Sequence, residues 1–197
     1  MKKIPSLFLS TDDHILTREV NPLCQWVIDG EGVPTAKLDG SACAVINGKL
    51  YKRYDNSKLV SKTERVRKHP PQNDWIHCGD MTDRGQHIYW IPVTMKDYYH
   101  QMAWAWGQGR FDDGTYELVG PEVQGNPHNT GHNALIRHAT NSIFDYIHNY
   151  CNICHNPRTY DEIERILARM EYEGIVWHHP DGRMAKITKK KFGLPWP

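Results

Sequence analysis

Five charged side chains stand in stretches that otherwise read as β-strand: Lys37, Arg53, Glu117, Glu173 and Lys186. The first lies in "VPTAKLDGSACAVINGKLYKRYD", residues 33–55, at the mouth of a small, apolar hairpin. An ammonium group shielded from water loses solvation and tends to shed its proton. Lys37 is therefore either an ordinary surface cation beside a turn or an amine whose neutral form is wanted as a nucleophile. A single charge on a strand is explained by a strand end or an exposed face. Five charges of compensating sign, drawn from separate hairpins, point to a polar cleft shared between sheets.

The elements that must position these groups follow from pattern. Asn47-Gly48 between "ACAVI" and "KLYKRY" is a hairpin turn, and it puts Arg53 on the return strand of the sheet that holds Lys37. "HIYWIPV" reads as a strand and "KDYYHQMAWAWG" as a short aromatic helix, with Trp104 and Trp106 expected in the core. In "GTYELVG", Tyr116 and Leu118 alternate, so Glu117 faces the other way. Leu135, Ala139, Ile143 and Ile147 recur every four residues and predict an amphipathic helix over 133–150. "TYDE" is a capping box, with Thr159 as N-cap and Glu162 three residues on, and it opens a helix with Ile163, Ile166, Leu167 and Met170 as its buried stripe. "HPDG" turns the chain between the strands "EGIVW" and "MAKIT". Strands dominate and helices fall between hairpins, so the expected fold is α+β: antiparallel sheets with flanking helices, in one domain spanning 1–197.

With 24 Lys+Arg against 23 Asp+Glu, the net charge of +1 makes no global case for nucleic acid or membrane. The distribution is more telling. Lys49 to His69 holds eight Lys or Arg against Asp55 and Glu64, and the tail "RMAKITKKK" has five cations and no acid. Two basic patches in a nearly neutral chain fit a phosphate-rich ligand, with solvated lysine faces as the competing account of each. Asn56 to Gln86 is charged and turn-rich around one large apolar anchor, Trp75, and reads as a mobile or ligand-facing excursion. No apolar run approaches the roughly 18 residues of a membrane span, and the start "MKKIPSLFLSTDDH" lacks a signal-peptide core, so a cytoplasmic location is expected. Five cysteines, an odd number, argue for reduced thiols. "CNICH", 151–155, matches a haem-attachment pattern and begins like a zinc site, but there is no second close cysteine pair and no export signal. A helix end and its loop is the better account, with a mixed site including His132, His138 or His148 as the alternative.

"KLDG", "YELVG", "EGIVW" and "AKI" occur in the order and approximate spacing of motifs I, III, IV and V of the covalent nucleotidyltransferases. In this the chain resembles the superfamily of RNA ligases, DNA ligases and mRNA capping enzymes. KxDG alone recurs by chance; the ordered set of four carries the resemblance, which covers about residue 33 to 197. "ELVGPEVQGNP" and "KKKFGLPWP" look closer to the RNA ligases, including small phage and viral ones and the vertebrate 5′-to-3′ group.

The resemblance implies a nucleotide cleft between sheets, with ATP and Mg²⁺ (or Mn²⁺) as cofactors. It also implies RNA with 5′-phosphate and 3′-hydroxyl ends as the partner, inside a cell that could be a phage- or virus-infected host. By motif, Lys37 is the nucleophile that forms lysyl-AMP. A free lysine amine is neutral only to roughly a few parts in ten thousand at pH 7, so such a site must discourage the proton. Lys186 matches the motif V cation at the α-phosphate, Glu117 the acid that contacts the ribose, and Glu173 the acid that holds a hydrated metal. Asp39 shapes the turn after Lys37 and can orient its amine, and Arg53 falls where relatives place a cation near the nucleotide or RNA end. The family often has a second lysine two residues after the first in motif V. Here that position is Thr188, with Lys189 or Lys190 as substitutes. The aromatic that covers the adenine is open among Phe144, Tyr146 and Trp106.

DNA ligases and capping enzymes usually add an OB-fold domain after motif V, and only "KKKFGLPWP" follows here, which favours a minimal RNA ligase. An enzyme that adenylates proteins and a non-catalytic nucleotide- or RNA-binding module are the other readings. Oligomeric state and the RNA's form, single-stranded or nicked duplex, are not legible.

Overall fold

The computed structural model describes residues 4–13, 15–55, 72–79, 87–140, 143 and 157–197. In chain order the elements are β1 (Phe8–Ser10), β2 (Leu16–Val20), α1 (Gln25–Ile28), β3 (Val33–Lys37), β4 (Ser41–Ile46), β5 (Lys49–Asp55), β6 (Ile76–His77), β7 (Ile88–Pro92), α2 (Tyr98–Trp106), β8 (Gly114–Val119), β9 (Ala134–Arg137), α3 (Tyr160–Arg169), β10 (Gly174–His178) and β11 (Met184–Thr188). The fold is α+β, and among the described residues every pairing between these strands is antiparallel. Two compact units emerge, one formed by Gly40–His138 and the other by Ile4–Asp39 with Ala139–Pro197.

The second unit is built on a three-stranded sheet in the order β11-β10-β3. Its register sets Gly174 opposite both Lys37 and Thr188, and Val176 opposite both Thr35 and Lys186. Because side chains alternate along a strand, one face carries Ala36, Ile175, Trp177, Ala185 and Ile187, and this face is the core side. Ile163, Ile166, Leu167 and Met170 of the α3 stripe pack into the same core with Leu7 and Phe8. The capping box forms as expected: Thr159 accepts from the Glu162 N–H, and the Glu162 carboxylate accepts from the Thr159 N–H. The opposite face of the sheet is left with Thr35, Lys37, Val176, Lys186 and Thr188. Its outer strand is pinned by the N-terminal segment, since Lys186 N–H donates to Pro5 O and Lys186 O accepts from Leu7 N–H.

The first unit is a six-stranded sheet, β6-β7-β5-β4-β8-β9, over a core of Cys43, Val45, Leu50, Ala103, Tyr116, Leu118, Val123 and Leu135. Asn47 and Gly48 adopt φ of 50° and 69°, the mirror-image turn that matches strand twist, and the Asp113 carboxylate accepts from both of their N–H groups. Trp75 does act as an anchor, its ring lying 5.0 Å from Tyr54 and 5.7 Å from Tyr89. Most of the excursion around it, 56–71 and 80–86, lies outside the described residues.

Three expectations need correction. Lys37 and Arg53 do not share a sheet: β3 pairs with β10, while β5 belongs to the six-stranded sheet. The chain changes sheets at Leu38–Gly40, where Gly40 passes so close to β8 that a Cβ would lie 2.2 Å from Leu118 O. The helix expected over 133–150 is a strand at its start, since β9 pairs with β8 and sets Leu135 opposite Leu118. Leu135 satisfies an alternating pattern as well as a helical one, and sheet pairing decides between them. Residues 141–142 and 144–150 lie outside the described residues. Finally, Trp104 packs against the first unit's core, but Trp106 is 66% exposed and stacks on His132 at 4.2 Å.

Cys24, Cys43 and Cys78 form no disulfide, while Cys151 and Cys154 lie outside the described residues. Among the described residues no helix is long and apolar enough to cross a membrane.

Candidate active site

Lys37 ends β3 and Glu173 immediately precedes β10. The register that sets Gly174 against Lys37 therefore delivers the Glu173 carboxylate to the Lys37 amine, and the two form an ion pair with side chains 24% and 18% exposed. The amine also donates to Leu38 O at 3.3 Å. Burial pushes the Glu173 carboxyl above the usual range; the hydrogen bond and charge of Lys37 oppose this, Asp39 adds to it, and Lys186 opposes it. Lys37, Asp39, Glu173 and Lys186 are thus one electrostatic cluster. A glycine is required beside it: a Cβ on Gly174 would lie 2.1 Å from Ile187 O and 2.9 Å from Thr188 Cα.

Asp39 Oδ2 accepts a hydrogen bond from Trp196 Nε1–H at 2.9 Å. The Lys189 backbone N–H donates to Glu173 O at 2.9 Å, while its ammonium donates to Met170 O at 2.6 Å and lies 5.2 Å from the Trp196 ring centre. Burial lowers the Lys189 pKa, against the pull of Glu171. The tail's basic run is largely engaged within the protein, since Arg183 pairs with Asp181 and Lys191 donates to Ser10 Oγ. Lys190 is exposed.

Glu117 and Arg53 belong to the six-stranded sheet. Glu117 lies on β8, and its Oε2 is 3.0 Å from His138 Nε2, whose Nδ1 is 3.0 Å from Thr115 Oγ1. This chain of contacts orients the carboxylate. Arg53 is exposed on β5, opposite Trp90. The sequence reading missed two partners, His138 for Glu117 and Trp196 for Asp39. His138 was absorbed into the helical pattern, and no spacing links Trp196 to residue 39. Of the adenine-stacking candidates, Trp106 is in the first unit, and Phe144 and Tyr146 lie outside the described residues.

Among the described residues no group of three or more His, Cys, Asp or Glu is set to hold a metal ion. A lone carboxylate such as Glu173 still suits Mg²⁺, which keeps several waters and completes its shell with substrate phosphates. An α+β protein with two lysines and adjoining carboxylates on the polar face of an antiparallel sheet can support group transfer through an amine. The sequence profile of the RNA ligase 1 family matches residues 107–197. RNA ligase 1 of Danio rerio is 33% identical over 240 aligned residues, which cover 96% of this chain and 71% of that protein. The chain belongs to the RNA ligase 1 family.

Proposed function

We propose that the protein is an ATP-dependent RNA ligase, with residues 1–197 working as one adenylation domain of the nucleotidyltransferase fold. The observation that carries the reading is the pairing of Lys37 with Glu173 on the sheet face that also bears Lys186, in a chain that belongs to a ligase family. Lys37 Nζ, once deprotonated, attacks the α-phosphorus of ATP. An N–P bond forms, the bond to the bridging oxygen breaks, and its electron pair leaves on pyrophosphate. The amine's second proton passes to a neighbouring carboxylate or water. Lys186 supports the charge that builds on the phosphate oxygens. Glu117, oriented by His138, accepts from the ribose hydroxyls, and Arg53 contributes a cation to the nucleotide or RNA end. Asp39 shapes the turn after Lys37. Glu173 would hold Mg²⁺ or Mn²⁺, which when bound supplies charge neutralisation at the phosphates. Transfer of AMP to an RNA 5′-phosphate restores the free lysine. A 3′-hydroxyl then attacks that phosphate, AMP leaves, and the strand is joined.

Incubation with α-labelled ATP and Mg²⁺ tests the reading. The expected result is an acid-labile label, one adenylyl group per chain, mapped by mass spectrometry to Lys37 and absent in Lys37→Ala. Discharge by 5′-phosphorylated RNA but not by nicked DNA is expected next. No adduct, or an adduct on another side chain, would refute the mechanism.

A further inference from the structure

We propose that Trp196 is a positioning residue for the adenylation step, fixing the Asp39 carboxylate so that Lys37 keeps a single anionic partner, Glu173. The inference rests on Lys37 being the nucleophile. It begins with the path of the chain after β11. A short 3-10 helix, Lys189–Phe192, ends at Gly193, whose φ of +68° reverses the backbone. The Gly193 and Leu194 N–H groups bond back to Lys190 O and Lys189 O, so the following residues return over Lys189. Trp196 thereby lays its ring against the Lys189 ammonium and directs its indole N–H at Asp39.

One stretch of chain then ties both segments that bracket the nucleophile. Its side chain at 196 holds Asp39, two residues after Lys37. Its main chain at 189 holds the carbonyl of Glu173, on the other side of Lys37. The Lys189 ammonium, bonded to Met170 O and facing the indole, keeps the 3-10 helix and the returning tryptophan together.

The need for such a tie follows from charge. Within this unit the charged groups that act on the Glu173 carboxylate are Lys37, Asp39 and Lys186. Asp39 is a carboxylate on a short stem, close enough to act on Glu173 and in the same turn as Lys37. Held less firmly, it can turn toward the Lys37 ammonium as a second anion and pull Nζ from its seat beside Glu173 and Leu38. An indole N–H is a donor with neither acceptor capacity nor charge. It can therefore fix one oxygen of Asp39 without neutralising the carboxylate or competing for the phosphate-binding cations.

The test is single-turnover self-adenylation with α-labelled ATP across ATP concentrations, in wild type, Trp196→Phe, Asp39→Ala and the double variant. Phenylalanine keeps a ring for Lys189 and deletes only the N–H. The expected result is a fall of about tenfold in the maximal adenylation rate of Trp196→Phe, the size associated with loss of a hydrogen bond to a charged group, with the half-saturating ATP concentration unchanged. In the Asp39→Ala background, Trp196→Phe should have no further effect, because the group it positions is gone. Three results would overturn the proposal: a wild-type maximal rate in Trp196→Phe accompanied only by a lower Tm, a change confined to half-saturating ATP, or effects of the two substitutions that multiply. Absence of label from the wild type would instead overturn the reading on which the proposal rests, and the proposal with it.

Discussion

Substituting Gly174 by alanine tests whether strand register builds the site. Gly174 does not have a positive φ, so the backbone itself tolerates a side chain and only contact opposes one. An added Cβ would lie 2.1 Å from Ile187 O and 2.9 Å from Thr188 Cα, whereas real Cβ atoms essentially never approach closer than 3.0 Å. Both obstacles are backbone of the paired strand, not ends of flexible side chains. Gly174 is also paired on its other side with Lys37, so β10 cannot shift without disturbing β3. Relief requires β10 and β11 to part by about 1 Å. Overpacking of this kind costs about 1–3 kcal/mol, which lowers Tm by several degrees in a chain of this size. The chemical effect should be larger. Glu173 precedes this residue, Lys37 lies opposite it and Lys186 is two positions from Thr188, and a displacement of about 1 Å between reacting groups can cost about 100-fold in rate. The assay is the rate of label incorporation from α-labelled ATP, read beside a thermal scan. Gly131→Ala, where nothing lies within 4 Å of the added carbon, is the control and should match wild type in both. A Gly174→Ala protein that adenylates within about twofold of wild type, or that slows only in proportion to its unfolded fraction, would refute the reasoning.

Two further outcomes are expected. Burial pushes the Cys43 thiol up to about 12 and that of Cys24 up to about 11, and both side chains are inaccessible. Iodoacetamide at pH 8 should leave both unmodified in the native protein and alkylate both in urea, as read by mass spectrometry; rapid native labelling of either would contradict the cores described above. Asp181 is held down to about 2, first by the Arg183 N–H and then by the Arg183 and His179 side chains, against burial. A carboxyl depressed on folding adds stability that is complete above its ordinary value of 3.8 and is lost as pH falls towards 2. Asp181→Asn should accordingly lower Tm by a constant amount from pH 7 to about 5, and by less as the pH drops below about 4. A Tm difference that grows on acidification would reverse the sign of this account.

Much of the second unit was legible in the sequence because its signals are local. Thr159 with Glu162 marks a helix start wherever it occurs, and "HPDG" between two apolar runs specifies a hairpin without reference to the rest of the chain. The same holds for Asn47-Gly48, whose two positive φ values are demanded by the turn itself. What failed depended on pairing between distant segments. Whether Lys37 and Arg53 share a sheet turns on β3 meeting β10, from the far end of the chain, instead of β4 next door. Ala134–Arg137 is a strand because β8 offers it an edge, and no property of those four residues states this. Trp106 reads as core by composition, yet α2 turns Ala103 inward and leaves Trp106 outside.

The proposed site residues come from motif, and the register describes how the fold places them. Glu173 and Gly174 act as a pair: the glycine lets three strands close up, and the glutamate, one step before it, is thereby delivered to Lys37. Within the first unit, Gly40 of "KLDG" lets the chain pass against the Leu118 carbonyl, next to Glu117. The departure at Thr188 can be weighed in these terms. Thr188 lies across Gly174 from Lys37, on the same sheet face, so a lysine there would bring another ammonium to the face that already holds Lys37 and Lys186. Lys189 does not restore that charge, because its amine is directed at Met170 O and the Trp196 ring. Among the described residues the polar face of this sheet therefore carries two lysines, Lys37, which pairs with Glu173, and Lys186. Under the proposed mechanism the charge developing on a bound phosphate would fall to these two lysines alone, so Lys186→Ala should abolish label incorporation from α-labelled ATP, and incorporation at the wild-type rate would remove Lys186 from the mechanism.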